Sequence, residues 1–201
     1  TLSLHDALPI SKTDTLIQQI QWDLSGQHNL MNALAAIAAA KHVGVSEKVA
    51  LGALSTFENV KRRMEIKGNV TTPSGNITVI DDFAHHPTAI ATTVAGLRHQ
   101  LNAQGKHTDR ILAVFEPRSN TMKLGAMKAA LPDSLKDADL AFCHSGGLDW
   151  DAREALSGMG SRAVVADSVD ALVKAVVTAA KGGDHLLCMS NGGFGGIHQK
   201  L

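Results

Sequence analysis

The sequence predicts an α/β protein: a mostly parallel sheet flanked by helices and preceded by a short all-helical stretch. Three observations carry this. From Met64 onward, short apolar runs alternate with helical patterns, the order expected when crossover helices link parallel strands. Each run ends at a polar residue (Asp81, Glu116, His144, Asp167 or Ser190), so one rim of the sheet is polar. Before Met64, two helical patterns follow one another with little strand content.

The elements are justified in order. A helix opens at Gly26-Gln27-His28-Asn29 and runs to about His42, and Gly44 suits its end. Ser46 is placed to cap a second helix over 47–57. Strands over 64–71 and 76–81 bracket the turn Pro73-Ser74-Gly75. Further strands are expected over 111–115, 140–143, 163–165 and 185–189. Helices are expected over 88–101, about 122–131, 168–180, and from near Phe194. Residues 1–11 (TLSLHDALPIS) show no clear periodicity and no basic start, so they are not a signal peptide; they are set aside as an unmatched, artefactual leader. A domain boundary is expected near residues 60–64.

Composition narrows the function classes. Hydrophobic residues make up 44%, enough for a sizeable core, while aromatics are 3%, so alanine and valine must fill much of it. Lys+Arg and Asp+Glu are both 19, which gives no net field for nucleic acid or an anionic membrane. No apolar run approaches the ~20 residues of a membrane span. Cys143 and Cys188 lie inside expected strands and read as buried thiols; their spacing gives no zinc signal.

Five constellations could carry chemistry. Asp81-Asp82-Phe83-Ala84-His85-His86-Pro87 joins a strand to a helix; such turns bind ligands in open α/β sheets, and ionisable groups there are costly to bury without partners. Asp82, His85 and His86 could hold a ribose hydroxyl, a metal or a carboxylate, or form a plain turn with a capping aspartate. His28, Asn29 and Asn32 share the first turns of one helix, where amides can read a purine edge or simply cap. Arg62-Arg63 suits phosphate or is a solvated basic pair. In Glu116-Pro117-Arg118-Ser119-Asn120-Thr121, Arg118 could clamp a carboxylate, and Asn120 could cap the next helix. Ser190-Asn191-Gly192-Gly193-Phe194-Gly195-Gly196 could bring backbone N–H groups to an anion, or be a flexible turn.

Taken together, GQHNLMNALAAIAAA, FENVKRRMEIKG, DDFAHHPTAI, VFEPRSNTMKLG and MSNGGFGGIHQKL resemble the Mur ligase family, the ATP-dependent amide-forming enzymes of peptidoglycan. The resemblance covers about residues 12–201. It implies a Rossmann-like C-terminal domain over 64–201 that binds the peptide substrate, preceded over 12–63 by the helical tail of the central ATP-binding domain. It implies that His28, Asn29 and Asn32 contact adenine, that Arg63, with Arg62 beside it, lies near the ATP phosphates, and that Asp82 holds the ribose. Arg118, Ser119, Asn120 and Thr121, with Ser190, Asn191, Gly192 and Gly193, would face the peptide. His85 or His86 could help deprotonate the attacking amine.

ATP and Mg2+ are the implied cofactors, with the phosphate loop and the magnesium ligands upstream and no metal site in these residues. The chain is therefore expected to be a C-terminal piece, inactive alone, of a cytoplasmic enzyme that neither binds nucleic acid nor inserts into a membrane. FEPRSNTMKLG and SNGGFGGIHQKL favour the members that join the tripeptide L-alanyl-γ-D-glutamyl-meso-diaminopimelate to UDP-N-acetylmuramate in recycling. The alternatives are the members that add L-alanine, or a non-catalytic anion-binding α/β module.

Overall fold

In the computed structural model of the chain, the described residues are 27–58 and 60–201. Residues 1–26, with the expected leader and the start of the 12–63 segment, lie outside them. The chain falls into two compact units with the break between Val60 and Lys61.

The first unit contains α1 (Gln27–His42) and α2 (Glu47–Ser55). Ala33 and Ile37, one helical turn apart, are buried, and Ile37 clusters with Ala50 and Leu51 of α2. Gly44, at φ 88°, ends α1: its N–H donates to Lys41 O at 3.0 Å and Val45 N–H to Ala40 O at 3.0 Å. That pair of bonds closes a helix with a left-handed residue, a conformation glycine adopts without a Cβ penalty. Ser46 caps α2 through Val49 N–H at 3.4 Å. The helix stops at Ser55, two residues short of the expectation.

The second unit is built on six strands: β1 (Glu65–Thr72), β2 (Gly75–Asp82), β3 (Ile111–Phe115), β4 (Leu140–His144), β5 (Ala163–Ala166) and β6 (His185–Met189). Their order is β1-β2-β6-β3-β4-β5, with β1 antiparallel to β2 and the other pairs parallel. The long helices are α3 (Pro87–Ala103) and, after the short α4 (Asn120–Lys123), α5 (Leu131–Ser134) and α6 (Ala152–Ala155), α7 (Val169–Ala179). The four-residue α8 (Ile197–Lys200) ends the unit.

Strand alternation sorts the interior into two cores. Ile111, Ala113 and Phe115 of β3 pack with Ile90, Val94, Leu97 and Leu101 of α3. Leu112 and Val114 face the other way, toward Leu172 and Val176 of α7. Every residue of β3 and β6 is buried, as expected for central strands covered on both faces. The path β2→β3→β4→β5 steps in one direction, with α3, α5 and α6 on one face; α7 returns over the other and delivers β6 between β2 and β3. Right-handed crossovers require this change of face when the direction reverses. The connections leaving β3 and β6 therefore diverge, opening a crevice at their carboxyl ends.

One expected helix differs. Residues 122–131 do not form a continuous helix but α4, a 3₁₀ turn at Lys128–Ala130, and α5. Gly125 breaks the run at φ 72°, and a Cβ there would lie 2.9 Å from Trp150 Cδ1, so the chain turns to admit the indole. The indole N–H donates to Met122 O at 2.7 Å. Ser119, not Asn120, caps α4, through Met122 N–H at 3.4 Å; Asn120 is the first helical residue. Among the described residues, no helix is long and apolar enough to cross a membrane.

Candidate functional site

The polar rim of the second unit gathers residues from the ends of β2, β3, β4 and β6. Asp82 closes β2 and is 2% exposed. Its Oδ2 accepts from Met64 N–H at 2.9 Å; its Oδ1 accepts from Ala84 N–H at 2.8 Å and Thr93 Oγ at 3.3 Å. A carboxylate has about four acceptor positions, so one remains, on Oδ2. Met64, at φ 52°, and Arg62, at φ 61°, are left-handed residues on either side of Arg63, and the Asp82 bond helps hold that backbone.

Arg62 and Arg63 differ in what they touch. Arg62 Nε donates to Asp81 Oδ2 at 3.2 Å, and Arg62 Nη2 donates to the carbonyls of Ser190 at 2.7 Å and Gly192 at 2.9 Å. It ties the end of β2 to the loop after β6. Arg63 is exposed, and both guanidinium groups lie against the Phe83 ring, at 5.3 Å for Arg62 and 5.9 Å for Arg63. Phe83 also meets the His85 ring edge-on at 5.4 Å.

The two histidines are partly engaged. His85 Nδ1 lies 2.9 Å from Phe83 O, which fits an Nδ1–H donor. His86 is the N-cap of α3, its Nδ1 accepting from Thr88 N–H at 3.3 Å, so a neutral His86 carries its proton on Nε2. Pro87 occupies the first helical position, where its missing N–H has no consequence.

Beside this lies a second cluster. Ser190, 1% exposed, donates its hydroxyl to Glu116 Oε2 at 2.7 Å and accepts from Gly192 N–H at 3.0 Å. Arg118 Nη1 stands 3.9 Å from Glu116 Oε2, and His144 Nδ1 stands 3.9 Å from Glu116 Oε1. Among the described residues, His144 Nδ1 and Asn191 Oδ1 are buried and find no hydrogen-bond partner. A Cβ on Gly192 would lie 2.6 Å from Arg118 Nη1, so glycine there lets the guanidinium cross the loop. Within this loop Gly192 N–H donates to Ser190 Oγ, and the Ser190 and Gly192 carbonyls accept from Arg62.

Asn29 and Asn32 stand on α1 in the first unit, with Asn32 exposed; the side chain of His28 lies outside the described residues. Arg62, Arg63, Asp82, His85 and His86 share the end of β2 in the second unit. Arg118, Ser190, Asn191, Gly192 and Gly193 share the ends of β3 and β6, and Ser119, Asn120 and Thr121 lead into α4 there. Sequence reasoning did not select Phe83, Glu116, His144 or His198 as site residues. His198 Nε2 lies 3.2 Å from Asp81 Oδ1 without hydrogen-bond alignment, so the contact is electrostatic; burial lowers the His198 pKa, and Asp81 opposes that. Cys143 and Cys188 are buried and unlinked, burial pushing the Cys143 thiol up to about 12 and the Cys188 thiol up as well, with Asp81 adding to the latter. Among the described residues, no group of three or more His, Cys, Asp or Glu is placed to hold a metal.

A parallel sheet with charged and hydroxyl groups at its topological switch defines a ligand-binding α/β domain. Residues 62–192 match the family described as Mur ligase, glutamate ligase domain. The chain is 47% identical over 186 residues to the UDP-N-acetylmuramate--L-alanyl-gamma-D-glutamyl-meso-2,6-diaminoheptandioate ligase of Escherichia coli, covering 92% of this chain and 39% of that protein. The Haemophilus influenzae protein of the same name is 45% identical over the same shares. A crystal structure of a murein peptide ligase from Psychrobacter arcticus superposes with a TM-score of 0.70 at 44% identity, over 92% of this chain and 38% of that one. The chain belongs to the Mur ligase family. It spans about two fifths of the length of these relatives.

Proposed function

We propose that this chain is the peptide-binding part, with the adjoining tail of the ATP-binding domain, of a cytoplasmic ATP- and magnesium-dependent ligase. That ligase joins L-alanyl-γ-D-glutamyl-meso-diaminopimelate to UDP-N-acetylmuramate. The observation that carries the reading is identity of 45–47% across nearly the whole chain with two proteins named for that reaction. Relatives named for L-alanine addition share 32% over comparable spans, which makes that reading the second choice.

On this reading the chain's contribution is positioning. Arg118 pairs with a substrate carboxylate, since guanidinium and carboxylate match fork to fork. The Ser190–Gly193 loop is held to the end of β3 by Ser190 and to the end of β2 by Arg62, and presents a fixed wall to the peptide. Arg63 and the open Oδ2 position of Asp82 are the groups in the second unit suited to a nucleotide, the first by charge and the second by accepting a ribose hydroxyl. Asn29 and Asn32 serve adenine. ATP supplies the phosphoryl group that activates the muramate carboxylate, and holding the amine in line with it contributes the proximity term. Of the two histidines, His85 is the better candidate to accept a proton: with Nδ1–H donating to Phe83 O, the lone pair is on Nε2, whereas the His86 lone pair is taken by Thr88 N–H.

The test is a hybrid enzyme in which these residues replace the aligned 186 residues of the Escherichia coli relative. Tripeptide-dependent phosphate release by the hybrid, with none from the 201-residue chain alone, is the expected result. ATP-dependent ligation by the isolated chain would contradict the division of labour.

A further inference from the structure

Phe83 is an exposed aromatic at a charged rim. Of the five phenylalanines, Phe115, Phe142 and Phe194 fill the core, whereas Phe83 is 37% exposed just past the end of β2. Two guanidinium groups meet its ring, Arg62 at 5.3 Å and Arg63 at 5.9 Å from the centroid. Successive residues of an extended chain point to opposite sides, so neighbours rarely share one ring. Here the backbone breaks that alternation. Arg62 (φ 61°) and Met64 (φ 52°) are left-handed, a conformation unfavourable for residues with a Cβ that persists where other bonds hold it. Three bonds do so. Arg62 N–H donates to Glu65 Oε2 at 2.9 Å, Phe83 N–H to Arg62 O at 2.8 Å, and Met64 N–H to Asp82 Oδ2 at 2.9 Å. The ring is fixed as well: the His85 imidazole meets it edge-on at 5.4 Å, and His85 Nδ1 lies 2.9 Å from Phe83 O.

We infer that Phe83 is a positioning residue for Arg63, its ring holding the guanidinium in place for the ATP phosphates. This rests on the nucleotide role proposed for Arg63 above. Arg62 is committed to Asp81 and two loop carbonyls, so Arg63 is the cation the ring can present to a ligand. An exposed arginine loses much side-chain freedom when a ligand orders it. A ring that attracts the guanidinium beforehand lowers that loss, because part of the ordering is complete before binding. The ring has no formal charge. It therefore orients the guanidinium without cancelling its charge, as a carboxylate would.

The experiment is steady-state kinetics of the hybrid enzyme, with ATP and tripeptide varied in turn. Phe83→Leu and Phe83→Met keep apolar bulk and remove the ring. Each should lower kcat/KM for ATP by about 2- to 5-fold, the worth of an exposed cation–π contact, and move the tripeptide KM less than that. Phe83→Tyr and Phe83→Trp, which restore a ring, should recover ATP use. In an Arg63→Gln background, Phe83→Leu should add no further loss, because the cation it positions is gone. A merely structural role would instead lower the melting temperature, affect both substrates alike and persist in the Arg63→Gln background. That pattern, an absent ATP effect, or failure of Tyr and Trp to rescue it overturns the inference and leaves the tripeptide reading standing. No tripeptide-dependent activity from the parent hybrid removes both.

Discussion

At the residue scale, Arg62 ties the rim together through Asp81 and the carbonyls of Ser190 and Gly192. Arg62→Ala leaves buried Asp81 without its guanidinium partner, with His198 beside it, and frees two carbonyls of the 190–193 loop. With partial solvent access discounted, the loss is expected to be about 2 kcal/mol, seen as a lower midpoint in urea. Arg62→Lys should recover part of it, since an ammonium cannot reproduce the fork. His198 gives a pH dependence. Burial holds its folded pKa below the unfolded value of about 6.5, with Asp81 opposing and Lys67 and Arg62 reinforcing. Above that pH both states are neutral and stability is unaffected. As pH falls through it, the unfolded chain takes up a proton that the folded chain resists, so stability declines. Thermal melts from pH 8 to 5 should show that decline, and His198→Gln should flatten it. The site was legible in the sequence only in part. Asp82, His85, His86 and Arg118 stand in dense local motifs. Ser190 stands in the glycine-rich loop that the sequence also singles out, but Glu116, His144 and Ser190 are 28 and 46 residues apart along the chain and meet because β4 and β6 flank β3, which no local pattern announces.

At the element scale, the sheet was readable because central strands buried on both faces are unbroken apolar runs; β3 and β6 lie where expected, residue for residue. The connection after β3 was not, because one glycine and one distant indole decide it. Residues 122–131 have a helical composition, yet Gly125 must take a positive φ to pass Trp150. Gly125→Val should therefore cost about 2 kcal/mol, through strain and the indole clash, rather than extend a helix. Gly182 makes a stricter case. It sits in the turn before β6, against the β1–β2 hairpin, where its N–H donates to Ser74 Oγ at 3.0 Å and a Cβ would fall 2.2 Å from Ser74 C. The three atoms such a Cβ would meet, Ser74 C, Ser74 O and Gly75 N, are all backbone, so Gly182→Ala is expected to destabilise by about 3 kcal/mol and to loosen the β1–β2 hairpin, visible as faster amide exchange there.

At the scale of the whole molecule, the sequence divides between a helical pair and an α/β unit, and the chemistry divides with it. Amide side chains suited to a base lie on α1. Charged and hydroxyl groups suited to phosphate and carboxylate lie at the carboxyl ends of β2, β3, β4 and β6. The relatives that match nearly all of this chain are more than twice its length, which is why the reaction is assigned to the chain only as a part of a larger catalyst. On the proposed reading, this part decides which amine is brought to the activated carboxylate. The most direct test is kcat/KM for tripeptide against L-alanine, measured on the hybrid enzyme at matched ATP. A preference for tripeptide of about 100-fold or more, equivalent to some 2.7 kcal/mol, is the predicted result; equal use of L-alanine, or a preference for it, would contradict the assignment.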